Sequence, residues 1–240
     1  MSSALVRRRA AKAARRKAIV KLKRKLEGTG RTLPLAERAR HLAAAPIRCC
    51  LLQEGLFERG NGTLLLARDL PTGEVAFALF LIDVYCLGVK DVVFERTEEV
   101  VLEEYIESMG LLAPLVPVDP SYARRLLREA VAYAQSLGFA PHADYAAVEA
   151  LFGKFAADAA TTFAFGFQGK PCYLPGPGET AGQISRRLAD LDRRFGKGGF
   201  HFTVPLEGSD VLTDLDLDAS EHTLVALSND EGDDRDSSPL

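Results

Sequence analysis

The chain has 240 residues, 47% of them hydrophobic, and a formal net charge of −3. Its longest apolar run, residues 75–89, is broken by Asp83, so no stretch approaches the roughly 20 apolar residues of a membrane-spanning helix. Four cysteines, none spaced CxxC, argue against a zinc framework or a disulfide scaffold and make a reducing cytoplasm the expected compartment.

The charge is unevenly distributed. Eleven of the thirty Lys and Arg residues lie in positions 1–27, against one acid, Glu27. They are Arg7, Arg8, Arg9, Lys12, Arg15, Arg16, Lys17, Lys21, Lys23, Arg24 and Lys25. From Glu207 onward there are eleven acids and one base, Arg235. The predicted organisation is therefore a basic arm (1–27), a near-neutral globular α+β domain (28–206) and an acidic, largely disordered tail (207–240). No apolar h-region follows the first arginines, so a secretory signal is not expected, and Ser is too sparse for a transit peptide.

In chain order, residues 4–27 read as a helix rich in Ala, Leu, Lys and Arg. Ile19, Leu22 and Leu26 form an apolar stripe near its end. Residues 35–44 predict a short helix stopped by Pro46, and 47–52 a strand. Gly60-Asn61-Gly62 predicts a tight hairpin turn. A strand over 63–70, a turn at Pro71-Thr72-Gly73 and a strand over 74–87 follow. Both faces of the last strand are apolar, which places it inside an antiparallel meander covered on both sides. Gly88 predicts a bend, with the strand resuming over 91–96. Helices are expected over 97–109, 121–137 (capped by Asp119-Pro120), 144–152 and 179–195. Residues 162–167 and 171–174 predict a second hairpin, 200–204 a last strand, and 222–227 a strand in the tail. The fold class is mostly antiparallel sheet with about five packed helices.

Few residues of the body suggest chemistry. Asp83 sits in a strand predicted to be interior, where a carboxylate has to be paired or neutralised. It is either a pocket carboxylate or a structural anchor, with Lys90 or a helix arginine as partner. Asp91, past Gly88, would have to meet Asp83 to hold a divalent cation, and no metal or other cofactor is predicted. His201, in Phe200-His201-Phe202-Thr203, supplies one HxT element, half of what phosphodiesterases of the 2H type use. Flanked by Phe, it also reads as a core or edge residue. His142 reads as part of a helix cap. Gly176-Pro177-Gly178-Glu179-Thr180 precedes a helix and could cradle an anion or simply cap it. Cys50 and Cys86 read as buried, unreactive thiols, and Cys172, near a turn, as more accessible.

Four blocks resemble ones shared by an uncharacterised group of bacterial proteins. They are Leu81-Ile-Asp-Val-Tyr-Cys-Leu-Gly-Val-Lys-Asp91, Leu137-Gly-Phe-Ala-Pro-His142, Gly169-Lys-Pro-Cys-Tyr173 and Gly199-Phe-His201. The resemblance spans about residues 47–205 and implies no function; it draws attention to Asp83, Lys90 and Asp91.

Three functions follow as expectations. The first is a nucleic-acid-associated accessory protein that binds RNA or the ribosome through phosphate contacts of the arm. The second is a hydrolase-type enzyme with a pocket around Asp83, Lys90 and Asp91, joined by His201. The third is an interaction module whose acidic tail folds over its own basic arm.

Overall fold

A computed structural model describes residues 33–203, apart from 159, 177 and 178. The predicted arm helix (4–27) and tail strand (222–227) lie outside the described residues. The chain divides into two compact units, Met1–Pro171 and Cys172–Leu240. Together they are α+β, with a five-stranded antiparallel sheet and six α-helices among the described residues.

The first unit begins with α1 (Leu35–Leu42), β1 (Ile47–Gln53), a one-turn helix α2 (Leu56–Arg59), β2 (Asn61–Asp69), β3 (Glu74–Asp83) and β4 (Gly88–Glu98). Helix α3 (Glu99–Gly110), the short strand β5 (Leu115–Pro117), α4 (Pro120–Ser136) and α5 (Tyr145–Val148), which runs into a 3-10 turn at Glu149–Phe152, complete it. The strand order is β4-β3-β2-β1-β5. Strand β3 is paired on both sides, with Leu79 opposite Leu65 of β2 and Val93 of β4.

The pleat explains the two apolar faces. Leu65, Ala67, Val75, Phe77, Leu79 and Val93 share one face and pack with Leu102, Tyr105 and Met109 of α3. Leu64, Leu66, Ala76, Ala78, Phe80 and Ile82 are fully buried on the other. There Phe80 meets the rings of Tyr145 and Phe152 at 6.4 and 6.2 Å. Each large apolar side chain so enclosed contributes about 1.5–3 kcal/mol relative to exposure. Helix α4 touches β1, β3 and β4. Its buried Ala123, Leu126, Leu127, Ala130 and Ala134 recur at helical spacing, and the alanines let the backbone come close. A Cβ added at Gly88 would lie 2.7 Å from the Ala130 carbonyl oxygen. Asp119 caps the helix as predicted, accepting from Ser121 N at 2.7 Å and Tyr122 N at 3.3 Å.

Three expected elements differ. Gly60-Asn61-Gly62 is not a two-residue hairpin turn: Gly60 ends α2 in the left-handed region (φ 75°) and Asn61 already belongs to β2. The Tyr85 ring fixes this, since a Cβ at Gly60 would lie 2.1 Å from it. Residues 74–87 are not one strand, because the chain reverses over 84–87 and returns as β4. Residues 162–167 form no strand. They run as a strap whose alternate rings, Phe163 and Phe165, pack on Tyr122 and Tyr133 of α4 at 5.3 and 5.2 Å.

In the second unit, β6 (Cys172–Tyr173) pairs in parallel with β7 (His201–Phe202), and α6 (Ala181–Phe195) lies between them in sequence. Helix α6 opens with a capping box of Thr180 and Gln183 and buries Ile184, Leu188 and Leu191. No helix among the described residues is long and apolar enough to cross a membrane.

Candidate functional site

The β3–β4 turn brings Asp83 and Lys90 together. Asp83 pairs with Gly88 at the mouth of the hairpin, and the register slips between Leu81 and Ile82, leaving Lys90 as the extra residue of a bulge. Asp83 has no exposed surface. Its Oδ1 accepts from Tyr85 N at 3.0 Å and Cys86 N at 2.8 Å. Its Oδ2 faces Lys90 Nζ at 3.5 Å, an ion pair without hydrogen-bond geometry. The carboxylate thus does the work of a main-chain carbonyl, folding an apolar segment that contains no turn-forming residue of its own. Burial pushes its pKa up, against the opposing pull of Lys90 and the turn N–H groups.

The same turn is gripped from outside. Val84 N donates to Gly60 O at 2.8 Å, and Gly166 N to Val84 O at 2.9 Å. Tyr85 Oη donates toward the Phe57 and Glu58 carbonyls at 2.8 and 3.1 Å. A carboxylate sealed under these contacts meets no solute unless the turn opens.

Asp91 points elsewhere. Its Oδ1 accepts from Val92 N at 2.9 Å and lies 3.7 Å from His142 Nε2. His142 N in turn donates to Val89 O, and Asp144 N to His142 Nδ1. Asp91 also lines a cavity of about 30 Å³ with Thr63, Leu79 and Tyr105, space for about one water and too little for an organic substrate. Among the described residues no group of three or more His, Cys, Asp or Glu is placed to hold a metal ion. His201 belongs to β7 in the second unit, opposite Cys172.

Thr180 caps α6. Thr180 Oγ1 accepts from Gln183 N, Glu179 accepts from Gly176 N, and Glu179 pairs with Arg187 at 2.9 Å. One helix-start donor, Gln183 N, is thus already taken by the Thr180 hydroxyl. Cys50 is buried, and burial pushes its thiol up to about 12. Cys172 is buried in β6 rather than accessible. All four cysteines are free.

Sequence reasoning missed two arginines. Arg68 of β2 donates to the carbonyls of Ala45, Leu151 and Phe152. Arg124 of α4 binds Glu149 in bidentate fashion, at 2.6 and 3.3 Å, and donates to the carbonyls of Gly153 and Phe155. Between them they bind four carbonyls of the 151–155 turn. The sequence-level signal for Arg68 is a lone base directly after the apolar run 64–67 of β2. The arm residues, Arg7 to Lys25, lie outside the described residues.

The chain matches no protein-family model, no curated protein and no solved structure.

Proposed function

We propose that the protein is a nucleic-acid-associated accessory protein that holds RNA, free or in the ribosome, by the phosphates, through Arg7, Arg8, Arg9, Lys12, Arg15, Arg16, Lys17, Lys21, Lys23, Arg24 and Lys25. The observation that supports this reading is the density of charge: eleven cations and one anion in 27 residues. Each cation that meets a phosphate releases condensed counterions, which gives affinity without sequence preference. The α+β body then serves as scaffold or cargo.

The test compares the full chain with a version starting at Gly28, using a labelled single-stranded oligouridylate in a salt series. The full chain should bind, with log affinity falling by about 0.7 per phosphate neutralised for each tenfold rise in salt. The shortened chain should lose nearly all of it. Equal, negligible binding by both at low salt would end this reading.

A second reading rests on the near-equal and opposite charges of the two ends. The acidic segment 207–240 covers the arm until a polyanion displaces it. Removing that segment should then tighten RNA binding, and an unchanged affinity would discard the masking.

A further inference from the structure

A cleft of about 590 Å³ opens between the α1–β1 connection and the turn after the 3-10 helix, with Arg68 and Lys154 among its lining residues. That volume is in the range of small-molecule sites. Its walls are mainly methyl groups and backbone: Ala43, Ala44 and Ala45 on one side, Gly153 and Phe155 on the other. Gly153 lets the two walls approach, because a Cβ there would lie 2.8 Å from the Ala43 carbonyl oxygen. Among the described residues no acidic side chain lines the cleft.

The charge balance is unusual. Arg68 is 3% exposed. Three of its five N–H groups are engaged by carbonyls, which leaves two, and no carboxylate pairs with it among the described residues. Burial accordingly lowers its pKa with no opposing charge beside it. A cation this deep is ordinarily neutralised by an anion. Lys154, exposed at the mouth, adds a second positive charge.

We infer that this cleft binds a small organic oxyanion, a carboxylate or phosphate monoester on a compact apolar body, with Arg68 and Lys154 as its countercharges. The alanine walls and Phe155 receive the apolar part. Its cations are not those of the arm, and its ligand is one molecule rather than a polyelectrolyte.

Phenyl phosphate and benzoate are the probes, titrated calorimetrically into the full chain at 0.1 M salt, with inorganic phosphate for comparison. Phenyl phosphate or benzoate should bind saturably and more tightly than inorganic phosphate. Lys154→Met should weaken the binding about tenfold, as loss of a charge-assisted contact does. Ala44→Asp, which places a carboxylate at an exposed lining position, should abolish it. Both variants should keep the melting temperature of the parent, whereas Arg68→Gln is a poor probe because Arg68 also holds the 151–155 turn. Absence of saturable binding by both phenyl phosphate and benzoate would overturn the inference. So would an affinity left intact in both the Lys154 and Ala44 variants, which would put the binding on the arm or another surface.

Discussion

Asp83→Ala removes the acceptor of the Tyr85 and Cys86 N–H groups and the countercharge of Lys90. Two buried donors left without partners cost about 1–3 kcal/mol each. Lys90, whose side chain is 16% exposed, can recover part of its hydration. The expected loss is about 3–5 kcal/mol, a large share of the 5–15 kcal/mol of a typical domain. Asp83→Asn keeps an oxygen on the turn and gives up only the ion pair. Because burial raises the Asp83 pKa in the folded state, the folded chain holds this proton more tightly than the unfolded chain does. Its stabilising contribution is complete below the unfolded value and declines as pH rises through the folded value. An amide, permanently neutral, should therefore cost about 1 kcal/mol or less at neutral pH and should flatten that decline. Urea unfolding followed by far-UV circular dichroism measures both variants. If alanine cost under about 1 kcal/mol, or asparagine cost as much as alanine, Asp83 would not be holding the turn by its oxygen.

Glu149 provides a contrasting pH response. Burial pushes its carboxyl up, but hydrogen bonds and charge from Arg124 and Arg128 outweigh this and hold it below the usual range. A lowered folded pKa gives stability above the unfolded value that is lost on acidification, so the advantage of the parent over Glu149→Gln should shrink as the pH falls below the ordinary carboxylate range in urea titrations. Gly88→Ala should destabilise by about 2–4 kcal/mol in the same assay, from positive φ and a forced retreat of α4.

The doubly apolar composition of β3 led directly to its interior place, because only a strand covered on both faces can carry Phe77 and Phe80 on opposite sides. The Asp119-Pro120 cap and the glycine after α6 were equally local and equally legible. The reversal over Val84–Leu87 was not, since its turn-forming group is the side chain of Asp83 rather than Gly, Pro or Asn in the loop. Helix α2, at four residues, is too short to be stable alone and exists because Tyr85 takes its last carbonyls. The parallel pairing of β6 with β7 joins two-residue segments on either side of a helix, where no pattern can build up. Lys90 was one of two partners weighed for Asp83, and the hairpin that selects it over a helix arginine was not foreseen. The role of Arg68 depends on carbonyls 83 and 84 positions away, which no spacing rule reaches.

The sheet ends in two margins of different construction. In β5, Glu54 N reaches Pro114 O and Val118 N reaches Cys50 O, so residues 114, 116 and 118 face β1 and residues 115 and 117 face outward. Pro117 has no N–H, and Leu115 is left as the one outward donor of that strand. On the other margin the Val89 carbonyl is taken by His142 N, and the bulge at Lys90 breaks the repeat beside it. The β5 border therefore offers no regular ladder to a foreign strand, and on the β4 border the ladder is interrupted at Val89 and Lys90, which leaves residues 91–98 as the stretch where strand addition to this sheet would have to begin.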